Sequence, residues 1–246
     1  METSFWLFVL VGFIAQMIDG SLGMAYGVSA SSFLLSLGVS PAIASAGVHT
    51  AEVFTTAISG ISHWRLGNLD RDLIKRLLIP GVLGGVTGAY LLTKIDGNFI
   101  KPYISIYLLI MGARIIYKAF KPSATKMQPI HLTILGIIGG VFDAIGGGGW
   151  GPIVTTTLLA NGNQPRKTIG SVNFSEFFIT FAEATTFIFT IGLTNLQVIL
   201  GLILGGAVAA PLGAMFTQRV PRKPLMIAVG LLIIALSLRT LYQVWA

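Results

Sequence analysis

Hydrophobic residues fall in long, nearly unbroken runs separated by short polar or glycine-rich stretches. The runs occupy residues 5–18, 24–37, 41–64, 73–93 and 99–118, then 131–142, 150–161, 165–190, 196–217 and 223–245. Continuous apolar stretches of this kind are what a bilayer demands of spanning helices. Within each set of five, the last three are long enough to cross. The first two are not, because a run of about 14 residues reaches only ~21 Å against a hydrocarbon core of ~30 Å. Each copy therefore predicts two short helices meeting at a glycine-rich break, either re-entering the membrane or crossing it as short tilted spans. Backbone unwound at that depth survives only where protein or a watery cavity surrounds it.

The two sets are copies of one unit. Sliding the chain by 124 positions aligns 12–63 with 136–187 without a gap. The alignment superimposes Gly12 on Gly136, Asp19 on Asp143, Gly23 on Gly147, Gly27 on Gly151, Pro41 on Pro165 and Glu52 on Glu176. Tyr26 meets Trp150, an aromatic for an aromatic. A first repeat over 1–118, a polar linker over 119–129 and a second repeat over 130–246 follow from this match.

Composition and charge sharpen the assignment. The 246 residues are 54% hydrophobic and only 10% charged, whereas a soluble domain carries about 25% charged residues. That excludes a soluble enzyme, a disordered segment and a nucleic-acid binder. With no cysteine there is no disulfide framework, thiolate metal site or thiol relay. The acidic start Met-Glu-Thr-Ser does not read as a signal peptide. A hairpin returns the chain to the side it left, so each copy crosses a net odd number of times and the copies must be inverted. The loops agree. One side receives Arg65–Arg76 (net +2), Lys118–Lys126 (+3), Arg166-Lys167 (+2) and Arg219–Lys223 (+3), while the other receives Lys94–Lys101 (+1), Glu2 and uncharged loops. Lys and Arg mark cytoplasmic loops, so both termini are expected outside. The predicted fold is an all-α integral membrane protein of two inverted-topology repeats, each a short broken-helix hairpin plus three transmembrane helices.

Five of the nine acids lie inside apolar runs: Asp19, Glu52, Asp143, Glu176 and Glu183. A charge at the bilayer centre costs ~2.5–3.5 kcal/mol on the insertion scale, so such residues mark a pathway. Ser45, His49, Glu52, Thr56, Ser59 and His63 form a polar stripe on one helix face, and Asn173, Glu176, Thr180 and Glu183 form its mate. The glycine breaks, Asp19–Gly23 and Asp143–Gly149, each precede a short helix whose free N–H groups suit an anion. Inverted-repeat transporters place substrate at such breaks. The expected anion-binding set is Gly23, Met24, Tyr26, His49, Gly147, Gly148, Trp150 and Asn173. Asp19 and Asp143 read as helix caps or gating residues. Glu52, Glu176 and Glu183 are candidates for proton coupling, with a protonated Glu52–Glu176 pair joining the copies as the structural alternative. Gly81–Gly88 and Gly201–Gly213 read as helix-packing glycines, and Arg114 and Arg239 as snorkelling span ends. No cofactor and no resident metal are expected.

The paired Asp-and-glycine segments at 19–27 and 143–152, the run His63-Trp64-Arg65-Leu66-Gly67-Asn68-Leu69-Asp70, and the Gly88-Ala89 and Gly213-Ala214 pairs resemble the TauE/SafE sulfite exporter, or toluene-sulfonate uptake permease, family over essentially the whole chain. The resemblance implies a prokaryotic inner-membrane transporter, not an enzyme, moving sulfite, organosulfonate or a related small anion by alternating access. It implies the lipid bilayer and a small anion as partners, no nucleic acid, and leaves homo-oligomerisation open. A rival reading is a cation or metal carrier using the intramembrane acids. An intramembrane aspartyl protease is remote, because neither Ile18-Asp19-Gly20 nor Phe142-Asp143-Ala144 carries the Gly-x-Gly-Asp pattern.

Overall fold

A computed structural model describes residues 5–22, 24–120, 131–192, 195–216 and 222–245. Among these the chain is helical throughout, as the apolar runs predict. The first half contains α1 (Phe5–Leu22), α2 (Tyr26–Ser36), α3 (Pro41–Arg65), α4 (Arg71–Lys94) and α5 (Gly97–Phe120). The second contains α6 (Leu132–Gly146), a π-helical turn (Gly151–Thr155) leading into α7 (Thr156–Ala160), α8 (Pro165–Ile191), α9 (Leu196–Phe216) and α10 (Arg222–Trp245). Gly23 and most of the linker lie outside the described residues.

Among the described residues, four helices have the length and apolarity to cross a membrane: 71–94, 97–120, 166–191 and 223–245. Helix α3, with 25 residues, reaches ~37 Å, but its polar stripe lowers its apolarity. The breaks come later than the sequence indicates. Helix α1 runs on through Asp19 to Leu22, and α6 through Asp143 to Gly146, so each aspartate occupies a last helical turn. The chain turns sharply after them, with Ala25 at φ 89°, Gly147 at φ 65° and Gly148 at φ 138°. Only the glycines adopt such angles without a Cβ penalty.

The packing is symmetric under exchange of the halves. Helix α1 packs on α9 and α6 on α4, α3 packs on α8, and α5 on α10. Glycine permits the first two pairs to approach backbone to backbone. A Cβ on Gly12 would stand 2.7 Å from the Leu202 Cα. On the other side, a Cβ on Gly88 would stand 2.6 Å from the Val141 carbonyl oxygen. The small-residue reading of Gly81–Gly88 and of the described glycines in Gly201–Gly213 therefore corresponds to real interhelical contact. Helices α3 and α8 cross antiparallel, since His49 meets Glu183 while Gly60 meets Phe174 and Asn173. The outward faces carry large apolar side chains, among them Ile79, Leu83, Phe181 and Phe189, which suits contact with lipid.

Candidate functional site

The site lies where the two breaks meet the α3–α8 crossing. A Cβ on Gly27 would stand 2.9 Å from the Gly147 carbonyl oxygen and 3.3 Å from Glu52 Oε1, and one on Gly151 would stand 3.1 Å from the Met24 Cβ. The breaks thus press against each other glycine to backbone, and Ser31 Oγ donates across the junction to the Gly147 carbonyl. Met24, Tyr26, Trp150 and Asn173 are all buried here. Trp150 is fixed as a wall: its Nε1–H donates to the Val172 carbonyl at 3.2 Å, and its ring lies against Gly81 and Gly139.

One residue organises the second break. The Asp143 carbonyl accepts from Gly147 and from Gly148, the latter at 2.8 Å, and its carboxylate Oδ1 accepts from Gly149 at 2.6 Å and Trp150 at 2.9 Å. Four successive N–H groups, the ones an oxyanion would use, converge on Asp143. The capping reading of this aspartate fits the geometry, and Gly147 and Gly148 do not present free N–H groups in this conformation. At the first break the Tyr26 backbone N–H is the group that acts on the Asp19 carboxylate.

The other Asp143 oxygen faces His49. Asp143 Oδ2 lies 3.7 Å from His49 Nε2, and Glu183 Oε2 lies 2.9 Å from the same nitrogen. All three side chains are buried, at 0% exposure for His49, 2% for Asp143 and 0% for Glu183. Gly85 on α4 closes the cluster from behind, where a Cβ would stand 2.9 Å from the Glu183 Cγ. Glu52 is buried beside them, and the charges of Asp19, His49, Asp143 and Glu183 all act on it. Glu176 is half-buried and stands in the field of Glu52. The expected polar stripes therefore do converge, but the tightest contact joins His49, Asp143 and Glu183 rather than Glu52 and Glu176.

Gly23 lies outside the described residues. Arg114 departs from the snorkelling expectation: it is half-buried and donates to Thr157 Oγ1 on α7 at 2.9 Å. A span-end position does not reveal a hydroxyl 43 residues away. A second feature that charge counting missed is a clasp at one end of the α3–α8 pair. Arg166 donates to Asn68 Oδ1 and to the Leu66 carbonyl, while Lys167 Nζ donates to the carbonyls of Gly67 and Leu69 at 2.9 Å each. The His63–Asp70 run is the other half of this clasp. Asn68 lies 3.1 Å from the His63 imidazole, the Asp70 N–H donates to Ser171 Oγ at 2.6 Å, and the Asp70 carboxylate caps α4.

Comparison with known proteins gives the context for this geometry. The family model described as "Sulfite exporter TauE/SafE" matches residues 8–240. A curated relative from Bacillus subtilis named "Probable membrane transporter protein YtnM" is 42% identical, over 97% of this chain and 83% of its own length. No solved structure matches.

Proposed function

The chain belongs to the TauE/SafE sulfite exporter family of multi-pass membrane transporters, and from that premise we propose that it carries a small sulfur oxyanion, of the sulfite or organosulfonate class, by alternating access. The observation that carries the reading is the cradle at the second break. There the Gly149 and Trp150 N–H groups hold the Asp143 carboxylate at 2.6 and 2.9 Å, and a carboxylate presents to N–H donors the same paired anionic oxygens as a sulfonate or sulfite. Asp143 is thus an internal stand-in for substrate. An arriving oxyanion competes for the same two donors, and the buried setting strengthens those charge-assisted bonds. Met24, Tyr26, Trp150 and Asn173 are buried side chains that would line the anion's path, and the glycines permit close approach.

In this reading the two halves are inverted repeats in the inner membrane with both termini outside. The Arg166–Lys167 clasp then lies at the cytoplasmic end and closes the path between α3 and α8. Moving one negative charge out of a cell gains ~2.3 kcal/mol per 100 mV, so export of a monoanion proceeds on the membrane potential alone. Uptake opposes that potential and needs a coupled cation, for which Glu52, Glu176 and Glu183 are placed. The test is flux in proteoliposomes loaded with labelled sulfite or a small organosulfonate. Saturable movement that follows an imposed potential supports the reading, and cation flux with no anion movement overturns it.

A further inference from the structure

We propose that His49, Asp143 and Glu183 form a binding site for one divalent transition-metal cation of the zinc or cobalt class. This stands independently of the anion transported. The argument begins with the tautomer of His49. Ser45 Oγ donates to the Ala144 carbonyl at 2.5 Å, so it accepts at its other face. His49 Nδ1 lies 2.7 Å from the Ser45 carbonyl and 3.1 Å from Ser45 Oγ. Both neighbours are acceptors, so Nδ1 carries a proton, and when the ring is neutral its lone pair faces outward at Nε2. That lone pair faces the oxygens of Asp143 and Glu183 at 3.7 and 2.9 Å. The three facing atoms, His49 Nε2, Asp143 Oδ2 and Glu183 Oε2, have no hydrogen-bond partner among the described residues. With no proton shared across the 2.9 Å His49–Glu183 contact, three buried acceptors pointed at one another repel, and a metal cation competes with that proton for the place between them.

The remaining geometry fits a metal. The donor atoms lie within 4.8 Å of one another, around the ~3.4 Å edge expected of ligands at about 2.1 Å from a tetrahedral centre. Two carboxylates and a neutral imidazole sum to −2, so a divalent ion leaves a neutral site in apolar surroundings. Two of the three ligands are also oriented from behind: His49 by the Ser45 carbonyl at 2.7 Å, and Asp143 by the Gly149 and Trp150 N–H groups at 2.6 and 2.9 Å. Metal-binding histidines and carboxylates are typically held this way. Imidazole with carboxylate favours zinc, cobalt, nickel or iron over magnesium or calcium. Three protein ligands leave a coordination position open.

The test uses the purified full-length chain in detergent, with any affinity tag removed, and Co²⁺ as the probe. Equilibrium dialysis should give one equivalent per chain, with the visible bands of a low-coordinate Co²⁺ site. X-ray absorption should report a single imidazole among oxygen ligands. His49→Gln and Glu183→Gln should each lower the affinity by more than about tenfold, while a His63→Ala, His131→Ala double variant keeps the full equivalent. Absence of stoichiometric binding to the wild type overturns the proposal, whatever the variants do. So does binding that survives in folded His49→Gln and Glu183→Gln proteins, or that vanishes with His63 and His131. A protein that transports no sulfur oxyanion yet binds Co²⁺ in this way refutes the substrate reading and leaves the metal site standing.

Discussion

The two breaks align in sequence at an offset of 124 residues and differ in what surrounds them. At the second, Asp143 gathers the N–H groups of Gly147 through Trp150, and its free oxygen meets His49 and Glu183. At the first, the Tyr26 backbone N–H acts on the Asp19 carboxylate. In the 124-residue alignment the counterparts of His49 and Glu183 are Asn173 and Ser59, neither of which ionises. The His, Asp and Glu set of the second break thus has Asn, Asp and Ser at the equivalent positions of the first. The lesson is that internal symmetry specifies the scaffold, while departures from it locate the chemistry.

The largest test of this difference removes the caps. Asp143→Ala leaves two buried N–H groups without their acceptor, at ~1–3 kcal/mol each, whereas Asp19→Ala strands fewer donors. Denaturant unfolding in detergent should show Asp143→Ala the more damaging by at least about 1 kcal/mol, with Asp143→Asn recovering part of the loss through its amide oxygen. Equal losses at the two positions would erase the asymmetry.

Next in size is the glycine junction. Gly148 sits at φ 138° with Gly27 and Val28 backbone against it, whereas Gly38 sits at φ 90° with nothing within 4 Å. Gly38→Ala should cost ~1–2 kcal/mol for its conformation alone, and Gly148→Ala clearly more. The bulkier Gly147→Leu should abolish transport. A Gly148→Ala protein no less stable than Gly38→Ala would mean that the breaks do not pack as described.

Much of this fold was legible as sequence. The apolar runs foretold the ten helices of the described residues to within a few positions, because a bilayer-sized helix needs an uninterrupted apolar stretch, and spacing placed His49, Glu52, Asn173 and Glu183 on facing stripes. Pairing was harder to read. Repeat symmetry drew attention to Glu52 with Glu176, but His49 meets Glu183 because α3 and α8 cross antiparallel, an offset that the repeat does not encode. The helix extensions past Asp19 and Asp143 were hidden for a related reason. Gly20 and Gly146 read as breakers, yet tertiary packing overrides a propensity cost of about 1 kcal/mol per glycine. The clasp residues Arg166 and Lys167 registered only as loop charge, since all but one of their partners are backbone carbonyls with no side-chain signature.

Smaller effects probe the shared elements. Glu52→Gln and Glu176→Gln keep the shape of a protonated glutamate but release no proton. At least one should bind substrate and yet lose flux driven by an imposed pH gradient, and unchanged gradient-driven flux in both would make these residues structural. Smallest of all, Arg166→Ala should cost ~0.5–1.5 kcal/mol of stability while raising the proteolytic sensitivity of the 66–69 loop. An unaltered loop would show that the clasp does not hold the end of the α3–α8 pair.

The central claim is that Asp143 occupies the place of the transported anion, and a high-resolution structure of the protein with sulfite bound tests it most directly. The account predicts sulfite density within hydrogen-bond distance of the Gly149 and Trp150 N–H groups, with Asp143 Oδ1 withdrawn from both. Sulfite bound elsewhere, with Asp143 still holding those two N–H groups, would contradict it.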